Sequence, residues 1–448
     1  MRRVIEQQLV EWKEKPDRKP LILKGVRQSG KTFTLLAFGK MYFSKVHYVN
    51  FEKDAHYASA FEQDLDPQRL IRELGFYLNT DIDIHRDLVI FDEIQACAKA
   101  LTSLKYFCED LPELAICSAG SLLGVYLGPV SFPVGKVDML EMHPMSFEEF
   151  LEAVGDHRSV EYLQSVTRET KISDLVHHHL WTQLKYYFVV GGLPEVITIF
   201  VKYQTDHYVA LTKVREKQEA LGLMYNADMA KHSGKVNAMH IDRVWKAVPH
   251  QMMSAQDGSA LKFKFREVVP GVERYTQLAG PIDWLHAVGL VLKMPICNTG
   301  QLPFSAYTKE NVFKLYMFDI GMLGAMSGLP PKTILDYDFG TYKGYFAENF
   351  VAQELTYQGR SRLFSWQESR AELEFMLEHN GDILPIEVKS GWVTKNKSLN
   401  KFAEKYNAAY RTIISANNLL IDEKNKLHQY PLYLAARYPL VKERRMKL

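Results

Sequence analysis

The pattern of apolar and polar residues divides the first part of the chain into alternating strands and helices. Its strands are short apolar runs without polar interruptions, such as Leu88-Val89-Ile90-Phe91. Continuous rather than alternating hydrophobicity predicts strands that are buried on both faces, and therefore a parallel sheet with helices on both sides. The predicted strands begin at Leu21 and cover 46–51, 88–91 and 114–118, and the predicted helices cover 3–14, 33–41 and most of 56–79.

The rest of the chain shows a helical stretch followed by a second mixture of strands and helices. Residues 147–225 have mainly helical spacing with a break at Gly191-Gly192-Leu193-Pro194, and residues 225–310 mix helices with short strands. Asn380-Gly381-Asp382 separates two apolar runs and predicts a hairpin turn. The other predictions in this region are helices at 345–357 and near 398–408, and strands at 362–367, 372–378, 383–389, near 411–415 and near 428–433.

Two local patterns allow both a structural and a functional interpretation. Residues 262–266 alternate basic and aromatic side chains, which favours an exposed strand, although the same pattern could contact a phosphate backbone. His177-His178-His179 suggests a metal site by composition. Consecutive helical positions point in different directions and cannot converge on one ion, so we interpret these histidines as a solvated helix surface.

A glycine-rich turn follows the first predicted strand. Residues 25–32 read Gly-Val-Arg-Gln-Ser-Gly-Lys-Thr, which fits the P-loop pattern G-x-x-x-x-G-K-[ST] between a strand and a helix. Glycines allow backbone N–H groups to turn toward a phosphate, and the helix N-terminus adds partial positive charge. Lys31 is expected to reach the β- and γ-phosphates, and the Thr32 hydroxyl to hold Mg²⁺. The predicted nucleotide-binding residues are Gly25, Val26, Arg27, Gln28, Ser29, Gly30, Lys31 and Thr32.

Two carboxylates end the third predicted strand. Because the carboxyl ends of parallel strands meet at one edge of a sheet, Asp92 and Glu93 are expected beside the P-loop. Asp92 is predicted to act on Mg²⁺ and Glu93 to polarise the attacking water, with Lys31 as the other catalytic candidate. Ser118 and Ser121 follow the next strand, where a hydroxyl could sense the γ-phosphate. Ser121 is counted among the nucleotide-binding candidates, and a simple turn role fits both serines equally well.

Length and composition narrow the class of protein. The chain has 448 residues, enough for two or three domains, and its 55 Lys and Arg residues nearly balance its 53 Asp and Glu residues. This balance gives no overall field that favours nucleic acid, although local patches remain compatible with it. The four cysteines lack C-x-x-C spacing, and we find neither a signal peptide nor an apolar run of the roughly 20 residues that span a bilayer. These features predict a cytoplasmic protein with reduced thiols and no membrane partner.

Several motifs in combination resemble those of a known family. They are the P-loop, 90–95 (Ile-Phe-Asp-Glu-Ile-Gln), 144–150 (Pro-Met-Ser-Phe-Glu-Glu-Phe), 191–195 (Gly-Gly-Leu-Pro-Glu), 314–319 (Lys-Leu-Tyr-Met-Phe-Asp) and 348–351 (Glu-Asn-Phe-Val). The chain is similar over nearly its whole length to AAA+-type ATPases of the AAA-14 group, whose members carry a C-terminal domain of unknown function numbered 4143. The resemblance implies ATP as the nucleotide, since the P-loop alone does not distinguish ATP from GTP. Family members usually have Gly-Arg where this chain has Gly135-Lys136, a change that keeps the charge but loses the bidentate guanidinium.

A second group of charged residues lies in the C-terminal α/β pattern. Glu387 and Lys389 are two apart on a predicted strand, so both leave the same face, with Glu374 on the preceding hairpin strand and Glu348 on an earlier helix. Metal-dependent phosphodiester cleavage needs such a group, because carboxylates hold Mg²⁺ or Mn²⁺ and a lysine positions water. The arrangement resembles the PD-(D/E)xK nuclease fold, although typical members have aspartate at the position of Glu374. The alternatives are a solvated surface pair or a nuclease fold retained only for binding.

These observations predict an α/β protein in three parts. The parts are a P-loop NTPase domain with a parallel sheet at 1–155, a helical and winged-helix-like region at 156–310, and an α/β restriction-endonuclease-like domain at 311–448. The predicted function is Mg²⁺-dependent ATP hydrolysis, with the nucleotide state regulating a nuclease-like C-terminal domain. The alternative hypothesis is a nucleotide-dependent sensor or scaffold whose nuclease-like domain is inactive. ATP and Mg²⁺ are the expected cofactors, DNA is a candidate partner, and a homo-oligomer is a candidate assembly.

Overall fold

The computed structural model describes residues 3–121, 132–233, 235–254, 262–337, 340–359, 362–392 and 396–441. The chain divides into two compact units. The first unit contains the residues up to 143 together with 287–289, and the second contains residues 144–286 and those from 290 onward. The three predicted domain ranges, 1–155, 156–310 and 311–448, remain a prediction.

The first unit is built on a five-stranded parallel sheet. Its strands are β1 (Leu21–Gly25), β2 (Val46–Asn50), β3 (Leu88–Asp92), β4 (Ala115–Gly120) and β5 (Asp138–Met142). Its helices are α1 (Ile5–Glu14), α2 (Lys31–Tyr42), α3 (His56–Ser59), α4 (Pro67–Leu78) and α5 (Ala98–Asp110), with a short 3₁₀ turn at Ile94–Ala96. The strand order is β2-β3-β4-β1-β5, and every neighbouring pair is parallel. Only β4 therefore separates β1 from β3.

Both faces of this sheet are buried, which confirms the predicted parallel sheet with helices on both sides. On one face Ile90 of β3 packs with Leu35 and Phe38 of α2. On the other face Phe91 packs with Leu104 of α5. Successive residues of β3 thus face different helices, as the two-residue repeat of a strand requires. This alternation places Asp92, the residue after Phe91, on the α2 face.

The second unit begins with helices and ends with a mixed α/β region. Its helices are α6 (Phe147–Ala153), α7 (His157–Ser165), α8 (Asp174–Val190), α9 (Pro194–Tyr203), α10 (His207–Ser233), α11 (Lys235–Ser254), α12 (Tyr275–Ala287), α13 (Ile320–Met326), α14 (Pro331–Asp336), α15 (Lys343–Tyr357) and α16 (Lys397–Tyr406). Its strands are β6 (Val291–Cys297), β7 (Thr308–Met317), β8 (Phe364–Glu368), β9 (Ala371–His379), β10 (Asp382–Val388), β11 (Arg411–Ser415), β12 (Leu420–Asp422) and β13 (Leu427–Pro431).

The strands of the second unit form one mixed sheet in the order β12-β13-β11-β10-β9-β8-β6-β7. The predicted hairpin forms between β9 and β10, with Asn380 and Gly381 at positive φ in its turn. Strand β7 crosses residue 310, where the sequence suggested a boundary, and β6 precedes it in the same sheet. The fold shown is therefore a mixed α/β sheet, while the winged-helix-like and restriction-endonuclease-like descriptions stay predictions.

Two predictions from the sequence are wrong. Residues 262–266 form no strand: among the described contacts Phe263 N makes one backbone hydrogen bond, to Phe313 O, and the Phe263 ring packs against the Phe313 ring with centroids 6.2 Å apart. The histidine run is not a uniformly solvated surface either. His177 is buried, and its Nδ1 lies 2.8 Å from the Tyr433 hydroxyl. The His177 ring also lies close to the rings of Trp392 and Tyr433, which are far away in sequence, so local spacing does not reveal these contacts.

The glycine pair between α8 and α9 lies in a buried polar network. Gly192 N donates to Asp319 Oδ2 at 2.6 Å, and Gly192 O accepts from Met145 N at 2.6 Å. Asp319 also caps α13 by accepting from Met322 N, and its burial raises the pKa of this carboxyl to about 6. Gly191 has φ 73°, and a Cβ there would lie 2.3 Å from Asp319 Oδ1. Two motifs distant in sequence therefore meet at one tightly packed position.

The motif at 144–150 also has a structural role. Ser146 and Glu149 form a capping box at the start of α6, each side chain accepting from the other residue's backbone N–H. The Glu148 carboxylate accepts two hydrogen bonds from the guanidinium of Arg437. These contacts orient α6 and attach it to the segment that follows β13, so the motif stabilises the second unit.

No single helix in the described part of the chain is long and apolar enough to cross a membrane. The helices α8 and α9, bent by 119° at the glycine break, pass the same test of length and composition only when taken together.

Candidate functional site

The turn after β1 depends on two glycines. Gly25 ends the strand with φ 154°, and a Cβ on it would lie 2.1 Å from Met142 O of β5. Gly30 has φ 93° and immediately precedes α2. A side chain would clash at the first position and strain the backbone at the second. These two glycines therefore allow the loop to turn sharply between the end of β1 and the N-terminus of α2.

Lys31 occupies the centre of this loop. Its Nζ donates to Gly25 O at 2.9 Å and to Val26 O at 3.0 Å. Burial lowers the pKa of Lys31 to about 8, and the opposing attraction of Glu93 and Asp92 is too weak to restore it. The ammonium is therefore held inside the loop in a poorly solvated position, where an anion would stabilise it strongly.

The loop is held from within by Ser29 and from outside by Arg3. The Ser29 hydroxyl donates to Val26 O at 2.8 Å, and the side chain is completely buried. Arg3 Nη1 donates to Ser29 O at 2.8 Å, while its Nη2 donates to His143 O at 2.7 Å. Arg3 thus joins the loop to the chain that follows β5. The sequence analysis missed this residue, since nothing in the helical spacing of residues 3–14 distinguishes it.

Asp92 lies beside the start of α2, as the sequence predicted from strand polarity. Thr32 Oγ1 donates to Asp92 Oδ2 at 3.0 Å. The contact forms because Asp92 follows Phe91 on the alternating strand and so faces α2. The two residues proposed to act on Mg²⁺ are therefore adjacent, and oxygen ligands of these types suit that cation.

Two further side chains hold Asp92 and were missed by the sequence analysis. The Tyr48 hydroxyl donates to Asp92 Oδ2 at 2.6 Å, and Asn50 Nδ2 donates to the same oxygen at 3.2 Å. Both residues belong to β2, and Asn50 pairs with Asp92 in the sheet register. Burial, together with the bond to Asp92, raises the pKa of Tyr48 to about 12, so the phenol remains a donor.

Glu93 has a separate partner. It adopts a left-handed backbone conformation with φ 49°, and its Oε2 accepts from Gln95 Nε2 at 2.5 Å. The turn directs the two consecutive acids to different surroundings, Asp92 toward Thr32 and Glu93 toward Gln95. A pair of carboxylates held in this way can serve two roles, one at a cation and one at a water molecule.

The two serines after β4 are placed differently. Ser118 is buried and alternates with Cys117 and Ala119, which pack on the α2 face, so Ser118 points to the opposite face of the sheet. Its Oγ has no hydrogen-bond partner in the described part of the chain. Ser121 is buried at the end of a described range. Its role toward a phosphate stays a prediction.

The C-terminal charged group assembles around Lys389. Its Nζ lies 2.8 Å from Glu387 Oε1 and 4.0 Å from Glu374 Oε1. Glu374 Oε2 accepts from Val388 N at 3.0 Å, which ties this carboxylate to β10. The two-residue spacing and the hairpin therefore bring together three of the four predicted residues.

Each charged group in this cluster affects the protonation of its neighbours. Burial and the neighbouring Glu374 raise the pKa of Glu387 to about 7, against the opposing effect of Lys389. Burial would lower the pKa of Lys389, but the attraction of Glu374 and Glu387 raises it. Glu387 Oε2 has no hydrogen-bond partner among the described residues. The group therefore contains a buried acceptor oxygen that a cation or a proton could satisfy.

Glu348, the fourth predicted residue, lies next to the buried Lys314. In the sequence Lys314 appeared only as part of the 314–319 motif and was not a candidate for this charged group. Lys314 Nζ is 3.8 Å from Glu348 Oε2, and the Tyr316 hydroxyl donates to the same oxygen at 3.2 Å. Glu348 also contributes to the raised pKa of Lys389, although less than Glu374 and Glu387. No three His, Cys, Asp or Glu side chains within the described ranges come close enough together to hold a metal ion.

Three family models match consecutive parts of the chain. Residues 17–151 match AAA_14, described as an AAA domain, residues 182–333 match the domain of unknown function DUF8612, and residues 343–434 match the domain of unknown function DUF4143. No curated protein sequence matches the chain.

Three solved structures to which the chain shows similarity are distant from it in sequence. The Walker-type ATPase PABY2304 of Pyrococcus abyssi is 15% identical with a TM-score of 0.44, covering 72% of this chain and 94% of its own. The RuvB Holliday junction branch migration motor of Thermotoga maritima is 15% identical with a TM-score of 0.32, covering 65% and 89%. AMPPCP-bound DnaA from Aquifex aeolicus is 17% identical with a TM-score of 0.28, covering 60% and 85%. By the family matches, the chain carries an AAA-type P-loop ATPase domain toward its N-terminus and a DUF4143 domain toward its C-terminus.

Proposed function

We propose that the first unit binds ATP with Mg²⁺ and hydrolyses it. The observation that carries this proposal is the contact between Thr32 and Asp92 at the N-terminus of α2, with Lys31 Nζ inside the preceding loop. The residues present fit a nucleotide, since the loop offers backbone N–H groups, a helix N-terminus and a poorly solvated ammonium for the phosphates. Thr32 and Asp92 would hold Mg²⁺, which supplies charge neutralisation at the β- and γ-phosphates.

The roles of the side chains follow from their positions. Lys31 exchanges the carbonyls of Gly25 and Val26 for phosphate oxygens and stabilises the charge that develops on them. Glu93 orients a water molecule and accepts its proton as the water oxygen bonds to the γ-phosphorus. The bond from that phosphorus to the β–γ bridging oxygen breaks, and ADP leaves with the electron pair. The products are ADP and inorganic phosphate.

Nucleotide binding by the full chain tests the proposal. Calorimetric titration with ATP and Mg²⁺ should show one site, and Lys31→Ala should weaken binding at least about thirtyfold, since it removes charge-assisted hydrogen bonds of about 1.5–3 kcal/mol each. Lys24→Ala is the matched control, because Lys24 pairs with Glu141 on the half-exposed surface at 2.8 Å. Absence of ATP binding, or equal affinity in Lys31→Ala, would contradict the proposal.

The pH dependence of binding gives a second test. Because the pKa of Lys31 is lowered to about 8, the ammonium is present at pH 7 and mostly lost at pH 9. ATP affinity should therefore fall about tenfold between these values, since one pH unit above its pKa only about a tenth of the lysine keeps its proton. Lys31→Arg stays charged throughout and should give a flatter profile. A wild-type affinity that is constant to pH 9 would show that Lys31 does not titrate at the phosphates.

A second candidate function concerns the C-terminal group. We propose that it supports Mg²⁺- or Mn²⁺-dependent cleavage of DNA, under control of the nucleotide state of the first unit. The specific observation in favour is the convergence of Glu374, Glu387 and Lys389, together with the unpartnered Oε2 of Glu387. Glu374 and Glu387 would hold the cation, and Lys389 would position water once the cation draws Glu387 away from it.

Incubation of plasmid and single-stranded DNA with Mg²⁺ or Mn²⁺ tests this candidate. Wild type should cleave, and Lys389→Ala should be at least about a hundredfold slower, as for loss of one preorganised charge in an active site. Lys405→Ala is the matched control, since Lys405 pairs with Glu368 at the surface. Repeating the assay with Lys31→Ala tests whether nucleotide binding regulates cleavage. DNA binding without cleavage in any variant would instead favour the alternative, a nucleotide-dependent sensor or scaffold with an inactive nuclease-like domain.

A further inference from the structure

The two adjacent acids of the candidate ATPase site are each held by a neutral side chain from outside the P-loop. The described hydrogen bonds to the Asp92 side chain all reach Oδ2, including one from the Tyr48 hydroxyl at 2.6 Å. Glu93 receives the amide of Gln95 on Oε2 at 2.5 Å. The two donor residues lie on opposite sides of the acid pair in sequence. Tyr48 is on β2, and Gln95 is on the turn after β3.

The hydrogen bond from Tyr48 determines which carboxylate oxygen of Asp92 is available to a cation. Thr32 and Tyr48 both donate to Oδ2, so the described contacts leave Oδ1 without a hydrogen-bond donor and able to accept from a cation or its water. Asn50 contributes a third donor to Oδ2, and it also donates to the Tyr48 oxygen at 3.0 Å. A carboxylate held by three donors on one oxygen cannot rotate without breaking all three bonds.

Gln95 acts on Glu93 in a comparable but independent way. Glu93 has a left-handed backbone conformation, and the Gln95 amide holds one of its carboxylate oxygens. Only Ile94 separates Glu93 from Gln95, so this hydrogen bond forms within one short turn and does not involve a β2 donor. The other carboxylate oxygen is left to orient a water molecule.

We infer that Tyr48 and Gln95 are positioning residues with separate tasks, Tyr48 orienting Asp92 toward Mg²⁺ and Gln95 orienting Glu93 toward water. This inference rests on the proposed ATP hydrolysis. It predicts a double dissociation, since removing Tyr48's hydroxyl should impair the metal-dependent part of binding, whereas removing Gln95's amide should impair only the chemical step.

For Tyr48→Phe, the readout is the ratio of ATP affinity in Mg²⁺ to ATP affinity in EDTA, measured calorimetrically on the full chain. The ratio should fall about fivefold to tenfold, which corresponds to one hydrogen bond to a charged group. Affinity in EDTA should stay within about twofold, since the described hydrogen bonds of the Tyr48 hydroxyl join it to Asp92 and Asn50 rather than to the loop. Tyr42→Phe is the matched control. The Tyr42 hydroxyl donates to Glu6 at a distance of 3.3 Å, and Glu6 is not one of the two acids of the candidate site.

For Gln95→Ala, both ATP affinities should be unchanged, while kcat and the affinity for ADP with Mg²⁺ and aluminium fluoride, a mimic of the transition state, should each fall about tenfold. The inference is overturned if Tyr48→Phe keeps the wild-type ratio, if Gln95→Ala lowers that ratio, or if kcat in Gln95→Ala equals or exceeds the wild-type value. A wild type that neither binds nor hydrolyses ATP would instead refute the proposed function itself, so the two failures are distinguishable.

Discussion

Glu93→Gln should abolish most ATP hydrolysis while leaving ATP binding intact. We expect kcat to fall about 10²–10³-fold, because the amide cannot accept the proton of the attacking water. Affinity for ATP and Mg²⁺ should stay within about threefold, since Lys31 still reaches the phosphates, Thr32 is still available to Mg²⁺ and Asp92 keeps its partners. Phosphate release at saturating ATP, together with calorimetric binding, measures both quantities.

The control for this substitution is Glu113→Gln, which changes an exposed glutamate just before β4 in the same unit. It should leave both kcat and ATP affinity at wild-type values. If Glu93→Gln retained more than about a third of wild-type kcat, another group would have to accept the proton, and the assignment of Glu93 would fail.

Gly192→Ala should strongly destabilise the second unit. A Cβ at this position would lie 2.1 Å from Met145 O and 2.8 Å from Met145 N, both backbone atoms that cannot move independently. The substitution would also weaken the bond from Gly192 N to the buried Asp319 carboxylate. We expect the free energy of unfolding to fall by at least about 3 kcal/mol, the upper part of the range for overpacked interiors.

Urea denaturation followed by tryptophan fluorescence measures this loss. Gly280→Ala provides the matched control, since Gly280 lies in α12 and an added Cβ would meet no atom within 4 Å. That variant should be as stable as wild type or up to about 1 kcal/mol more stable, because alanine favours helix over glycine. Equal stability of Gly192→Ala and wild type would mean that the contact with Met145 is looser than described.

The sequence predicted the residues of the candidate site that a local motif specifies. The P-loop is one continuous segment, and Asp92-Glu93 directly follows an apolar strand, so strand polarity alone brings Asp92 to Thr32. Tyr48 could not be found in this way, because its contact depends on which strand lies beside β3. That strand is β2 in the order β2-β3-β4-β1-β5, and sheet order is not written in any local pattern.

The errors have the same physical origin. His177 lies in a helix whose local spacing is compatible with solvent, but Tyr433, more than 250 positions later, covers it. Residues 262–266 alternate as a strand does, yet Phe263 is drawn into the aromatic cluster around Phe313. The C-terminal group was found because Glu387 and Lys389 share one strand face, whereas Lys314 meets Glu348 only through the packing of β7 against α15. Contacts between distant segments decide each of these cases.

The central claim is that residues 25–32 and Asp92 hold ATP and Mg²⁺. A crystal structure of the chain with a non-hydrolysable ATP analogue and Mg²⁺ tests it most directly. The account predicts that Lys31 Nζ leaves the carbonyls of Gly25 and Val26 for the β- and γ-phosphates, with the Thr32 hydroxyl on the cation and Asp92 beside it. A nucleotide bound elsewhere, or a loop in which Lys31 keeps both carbonyls while the analogue is present, would contradict the account.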